Sequence, residues 1–127
     1  MSIIDPTPAQ LAALVARPAD EPVVMVNLLK FKAEGGLESY LQYGREIAPH
    51  LERVGGVIRY VGLAPTVILG EGEKPWWDAI LTVEYPTLSA FMDMVSSPEY
   101  AIVQQYRTVA LERGELIATS PGNALVN

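Results

Sequence analysis

Three polar side chains interrupt otherwise apolar patterns in this chain, and each is of a type that handles charge or protons. Asn27 is the one polar residue of the run VVMVNLL, residues 23–29. In a strand it shares a face with Met25 and Leu29. A mid-strand amide must find hydrogen bonds. It could hold a substrate carbonyl or steady an oxyanion, or it could bond a neighbouring loop or helix. Arg107 falls with Tyr100, Val103, Ala110 and Leu111 on the inward stripe of a helix. A guanidinium turned toward a core needs a partner, because an unpaired buried charge is costly. It could clamp a ligand carboxylate or enolate through two parallel bonds. Its alternatives are an internal ion pair with Glu84, Asp78 or Glu99, or a stem that carries the charge out to water. His50 is the single histidine and lies on one helical side with Tyr43. It could act as a general base that Tyr43 orients, or as a haem ligand, or it could be a partly exposed residue beside Pro49.

Aromatic residues surround these positions. Tyr40, Tyr43, Tyr60, Trp76 and Trp77 could frame a flat aromatic ligand, and they could equally be core or subunit interface. Tyr100 shares the inward stripe of Arg107. Arg59 alternates with Val57 and Val61, so it faces either the ligand site or a partner subunit.

Composition narrows the chemistry. The 127 residues carry a net charge of −6, and nine basic residues are scattered without clustering. Nucleic acid and anionic lipid are therefore not expected partners. There is no cysteine, which removes disulfides, thiolate nucleophiles and cysteine-held metals, and which suits a reducing cytoplasm. The start, MSIIDPTPAQ, lacks the basic and apolar regions of a signal peptide, and no apolar run is long enough to span a membrane. The glycine pairs do not follow a strand and open a helix in the dinucleotide pattern, and no phosphate loop is present. No Ser-His-Asp triad or paired glycosidase carboxylates can be nominated. Neither a metal site nor a bound organic cofactor is expected.

The elements that must position these residues can be read in order. Thr7-Pro8-Ala9-Gln10 starts a short helix with a capping box, Leu11, Leu14 and Val15 form its stripe, and Pro18 ends it. Residues 23–32 form a strand covered on both faces at its centre. Residues 37–54 form a long helix with Pro49 inside, stopped by Gly55-Gly56. Residues 57–63 form a second strand, interrupted by Ala64-Pro65 and continued at 66–69 as an edge or bulged segment. Residues 76–85 form a third strand. Helices at 88–95 and 99–113 follow, separated by Ser97-Pro98, and a final strand covers 115–119. After the first helix the order is βαββαβ, the split βαβ arrangement. It gives an α+β fold with a four-stranded antiparallel sheet and its helices on one face. The strands carry few polar residues, so the free face of the sheet calls for a partner.

One set of spacings is more specific. Tyr40-x-x-Tyr43, Pro49 and Gly55-Gly56 recur with Glu84-Tyr85-Pro86-Thr87, Ser97-Pro98-Glu99-Tyr100 and Arg107. In these the chain resembles the DUF1330 family of the dimeric α/β-barrel, ferredoxin-like superfamily. The match covers residues 23–119 and leaves the first helix outside. The resemblance implies a homodimer whose two sheets pack into a barrel. The superfamily includes cofactor-free monooxygenases, muconolactone isomerases, haem-binding chlorite dismutases and stress-related binding proteins. It implies a site between sheet and helices but transfers no reaction. The expected organisation is an N-terminal helix and linker (1–22), a ferredoxin-like domain (23–120) and a tail (121–127). The expected function is small-molecule binding. This extends to a cofactor-free enzyme that isomerises or oxygenates a small acidic or phenolic substrate by proton abstraction. His50 would be the base, with Asn27 and Arg107 holding negative charge. The ligand-binding set is Tyr40, Tyr43, Arg59, Tyr60, Trp77 and Tyr100. The alternatives are a non-catalytic ligand-binding or stress-response dimer and a purely structural dimer.

Overall fold

Residues 6–122 are described by a computed structural model of the chain. Eight elements follow one another: α1 (Pro8–Val15), β1 (Val23–Phe31), α2 (Gly36–Val54), β2 (Val57–Leu63), β3 (Ala79–Tyr85), α3 (Leu88–Ser96), α4 (Pro98–Ala110) and β4 (Leu111–Thr119). The strands form one antiparallel sheet in the order β2-β3-β1-β4. This is the α+β, ferredoxin-like arrangement that the βαββαβ pattern predicts.

Period two decides which face each strand residue serves. In β1 the residues Val23, Met25, Asn27 and Leu29 are buried, and Val24, Val26, Leu28 and Lys30 are half-buried. Directly paired residues share a face, so Val83, Leu81 and Ala79 of β3 stand beside Met25, Asn27 and Leu29. Tyr43, Ile47 and Leu51 of α2 pack on this face with Leu88, Phe91 and Met94 of α3 and Tyr100 and Val103 of α4. On the other face Val24, Val26 and Leu28 line up with Ile80 of β3 and Ile117 of β4.

Local chemistry sets the boundaries. At α1, the Thr7 side chain accepts from the Gln10 backbone N–H, and the Gln10 side chain accepts from Thr7 N–H. The helix buries none of its residues and ends at Val15, before Pro18. Only Leu14 of its expected stripe packs on the core, while Leu11 and Val15 are exposed. α2 runs through Pro49 to Gly55, whose φ of +79° is the left-handed stop that glycine accepts without strain. Gly56 then sits against side chains: a Cβ there would lie 2.8 Å from Leu51 Cδ2 and 3.1 Å from Tyr85 Cε2. Ser97 serves two helices at once. Its hydroxyl donates to the Met94 carbonyl at the end of α3 and accepts from the Tyr100 N–H at the start of α4.

Several boundaries differ from the sequence expectations. Residues 66–69 form no strand; they belong to a loop over residues 64–78, and Ile68 and Leu69 are 84% and 94% exposed. β3 begins at Ala79 rather than at Trp76, because Trp76 leaves the sheet to stack under the Arg113 guanidinium at 4.0 Å. α4 stops at Ala110 rather than Arg113. α3 extends by one residue, to Ser96. At Leu111 the backbone becomes extended with no intervening turn, so β4 starts four residues earlier than expected. Arg113 and Glu115 consequently lie on the strand face that carries Lys30 and Leu28. Of the expected tail, residues 123–127 lie outside the described part of the chain.

Candidate functional site

α2 and α4 cross the same face of the sheet in opposite directions. Tyr43 meets Tyr100 near the start of α4, whereas Gly36 sits against Ala110 at its end, where an added Cβ would come within 2.7 Å of the Ala110 carbonyl oxygen. Between these two contacts the helices carry a polar cluster over β1. The hydroxyls of Tyr43 and Tyr100 are 2.8 Å apart, and both residues are buried. The Tyr40 ring lies tilted against Tyr43 with 5.4 Å between ring centroids and meets Phe31 edge-on at 5.5 Å. Arg107, one helical repeat beyond Tyr100, donates through Nη2 to Asn27 Oδ1 at 3.3 Å. Asn27 in turn directs Nδ2 at the Leu81 carbonyl oxygen, 3.5 Å away.

Arg107 is the electrostatic centre of this cluster. Its charge has no carboxylate partner among the described residues. The acids that sequence reasoning offered it are engaged elsewhere or distant. Glu84 pairs with Arg59 at 3.3 Å. Asp78 pairs with Lys74 at 3.0 Å and also accepts from the Phe31 N–H. Glu99 is exposed in the first turn of α4, eight residues away, or about 12 Å along the axis. The half-buried guanidinium therefore bonds a neutral amide and faces phenol rings.

Burial pushes the Tyr40, Tyr43 and Tyr85 hydroxyls above the ordinary tyrosine value. At Tyr40 the nearby Arg107 charge opposes that rise without cancelling it. At Tyr43 the Tyr100 hydroxyl adds to it. These phenols consequently stay protonated and act as hydrogen-bond donors rather than as bases. The Tyr43–Tyr100 pair has two protons and uses one internally, so the accepting hydroxyl can donate onward.

The other candidates lie apart. His50 is half-buried ten residues beyond Tyr40 on α2, about 15 Å along the axis and away from the Arg107 end. None of the side-chain hydrogen bonds among the described residues involves it. Arg59 and Tyr60 are exposed on the edge strand β2. Trp77 is half-buried in the loop before β3, where its carbonyl accepts from Lys74. Tyr85 belongs to the cluster and was absent from the expected site. It is buried at the end of β3, packs edge-on against Phe91 at 5.2 Å, and lies near enough to Tyr100 and Tyr40 to interact with their hydroxyls. Its place on the Val83 face of β3 was the available signal. No group of His, Asp and Glu residues among those described has the arrangement of a metal site.

This fold, with its polar cluster between sheet and helices, defines a ferredoxin-like α+β protein. Two crystal structures of the Rhodopseudomonas palustris protein RPA0582, of unknown function, match it closely. One is 30% identical over 95% of this chain and 98% of its own, with a TM-score of 0.81. The other, of the methylated protein, is 31% identical with a TM-score of 0.82 and covers 94% and 95% of the two chains. The chain belongs to the same family as RPA0582. More distant likenesses extend the fold. A candidate antibiotic biosynthesis monooxygenase from Bacteroides thetaiotaomicron is 14% identical over 83% of this chain and 93% of its own, at a TM-score of 0.58. A dimeric ferredoxin-like protein of unknown function from Bacteroides fragilis is 19% identical over 79% and 96%, at 0.54. No protein-family model and no curated protein matches the sequence. Among the described residues no helix is long and apolar enough to cross a membrane.

Proposed function

We propose that this protein is a homodimeric small-molecule-binding protein of the DUF1330 type, and that it takes a small acidic or phenolic ligand at Arg107. The observation that carries this reading is the inward guanidinium of Arg107, which bonds Asn27 at 3.3 Å and has no carboxylate partner among the described residues. Desolvating a cation without an anion is costly, and a ligand carboxylate or enolate supplies the missing charge. Tyr40 and Tyr43, whose hydroxyls burial keeps protonated, add hydrogen-bond donors suited to an anionic oxygen, and Tyr100 pairs with Tyr43 beside them. Binding takes precedence over turnover in this proposal because His50, the one candidate base, lies about 15 Å along α2 from Tyr40. The homodimer is supported by the row of Val24, Val26, Leu28, Ile80 and Ile117 on the helix-free face. A second copy of that face would cover it. The absence of cysteine favours a reducing compartment such as the cytoplasm.

Arg107→Met tests the reading, since it keeps the stem's volume and removes the charge. Binding of small carboxylates, followed by calorimetry, is expected to weaken by roughly 1.5–3 kcal/mol, the contribution of a charged hydrogen bond. Equal binding by the variant and the unaltered protein would refute the anion site.

A further inference from the structure

We infer that Gly114 is the residue that admits a ligand to Arg107, and that the ligand is a carboxylate carrying an apolar body. This rests on the reading of Arg107 as an anion site and narrows it. Gly114 pairs with Leu29 in the β1–β4 register, so it belongs to the helix-facing side of β4. A Cβ built there would stand 3.7 Å from Arg107 Nη2 and 3.0 Å from Leu111 Cδ1. Any side chain there would be wedged between Leu111 and the strand side of the guanidinium. Backbone conformation does not require glycine here: the left-handed φ values among the described residues fall at other positions. Space rather than backbone conformation makes the position sensitive to a side chain, because Leu111 Cδ1 stands 3.0 Å from where a Cβ would be.

The next residue on that side is Leu116, paired with Asn27 and 48% exposed. Beyond it Ala118 packs on the main core, and behind Gly114 the strand closes on buried Leu111. β4 is a sheet edge, so no further strand closes the side of this strip. From Gly114 to Leu116 it runs about 7 Å at ~3.3 Å per residue, enough for one aromatic ring or a short alkyl chain. A guanidinium has five N–H donors; Asn27 Oδ1 takes one and the Tyr40 hydroxyl engages the same group. The rest can take a carboxylate head, while Leu116 meets the body. A net charge of −6 repels anions at long range, so selection rests on this local pairing and on the apolar contact beside it.

Calorimetric titration with acetate and benzoate separates the two contributions. The unaltered protein is expected to bind benzoate at least about tenfold more tightly than acetate, the effect of burying part of a ring. Leu116→Ser is expected to erase most of that preference by weakening benzoate more than acetate. Gly114→Val is expected to weaken both ligands about tenfold or more, and Gly114→Ala to weaken them less. Circular dichroism checks that each variant is folded; should the Val variant fail to fold, Gly114→Ala and Leu116→Ser carry the test. Equal affinity for the two carboxylates, or undiminished binding by folded Gly114 variants, overturns this inference. In that case, loss of both ligands in Arg107→Met still upholds the anion site. If the unaltered protein binds neither carboxylate, both readings fall.

Discussion

Replacing Tyr100 by Phe removes one hydroxyl of a buried pair and strands the other. The two oxygens are 2.8 Å apart, and each residue is only 7% exposed, so water does not readily replace the lost partner. Leaving a buried hydroxyl unsatisfied costs about 1–3 kcal/mol. At about 2.1 cal/mol/K per residue, the 127-residue chain unfolds with an entropy near 0.27 kcal/mol/K, so each kcal/mol moves Tm by about 4 °C. Tyr100→Phe and Tyr43→Phe should therefore each lower Tm by about 4–11 °C. The double variant removes both hydroxyls and strands neither. Its cost should fall below the sum of the single costs by about 1 kcal/mol or more, and it should melt no lower than the worse single variant. The assay is a double-mutant cycle by urea and thermal unfolding at one fixed protein concentration, which keeps any subunit association constant. Additivity within about 0.5 kcal/mol would show that the hydroxyls are not partners and would refute the reasoning.

Gly56→Val should lower stability by about 1–3 kcal/mol, because even its Cβ would sit 2.8 Å from Leu51 Cδ2 and 3.1 Å from the Tyr85 ring; an unchanged thermal midpoint would show that the site has room. Alkaline pH should destabilise the fold. Tyr40, Tyr43 and Tyr85 are raised above 10.0 in the folded chain, so the stability they contribute is complete below that pH. It is lost above it, as the unfolded chain releases protons that the folded one keeps. Urea midpoints that hold level from about pH 9 to one unit above 10.0 would contradict this. Val26→Glu, on the helix-free face, should give a folded monomer by light scattering, since the carboxylate would be desolvated between two sheets; an unchanged molecular mass would remove that face from the interface.

Much of this architecture was legible because the chain marks its own boundaries chemically. Thr7 caps α1 as its capping box predicts, Ser97-Pro98 separates α3 from α4 as expected, and Gly55 takes the left-handed turn that ends α2. The misplaced boundaries occur where apolar patterning does not distinguish a strand from its surroundings. Trp76 and Trp77 prolong the apolar run into β3 but lie in the loop, because Trp76 finds the Arg113 cation outside the sheet. Ala110 and Leu111 continue the helical stripe of α4 while the backbone changes to a strand between them. Asn27 and Arg107 could be found because each breaks an apolar stripe and periodicity turns both inward. Tyr85 was hidden because a tyrosine at a strand end looks like ordinary core. The spacing of His50 from Tyr43 gives a common side of the helix but not a common height, and axial distance separates His50 from the cluster.

The position of β1 at the centre of the sheet has a consequence for how the chain emerges from the ribosome. β1 is the first strand synthesised, and its two neighbours are β3 and β4, the last of which ends about ninety residues later. At ~5–20 residues per second, one edge of VVMVNLL waits on the order of 5–20 s for its final partner. That segment is β-branched, has no formal charge and contains no proline, the composition of strands that pair with the wrong chain. Chaperone binding to the unfolded chain should therefore concentrate on residues 23–29 and end only when Leu111–Thr119 is free to pair.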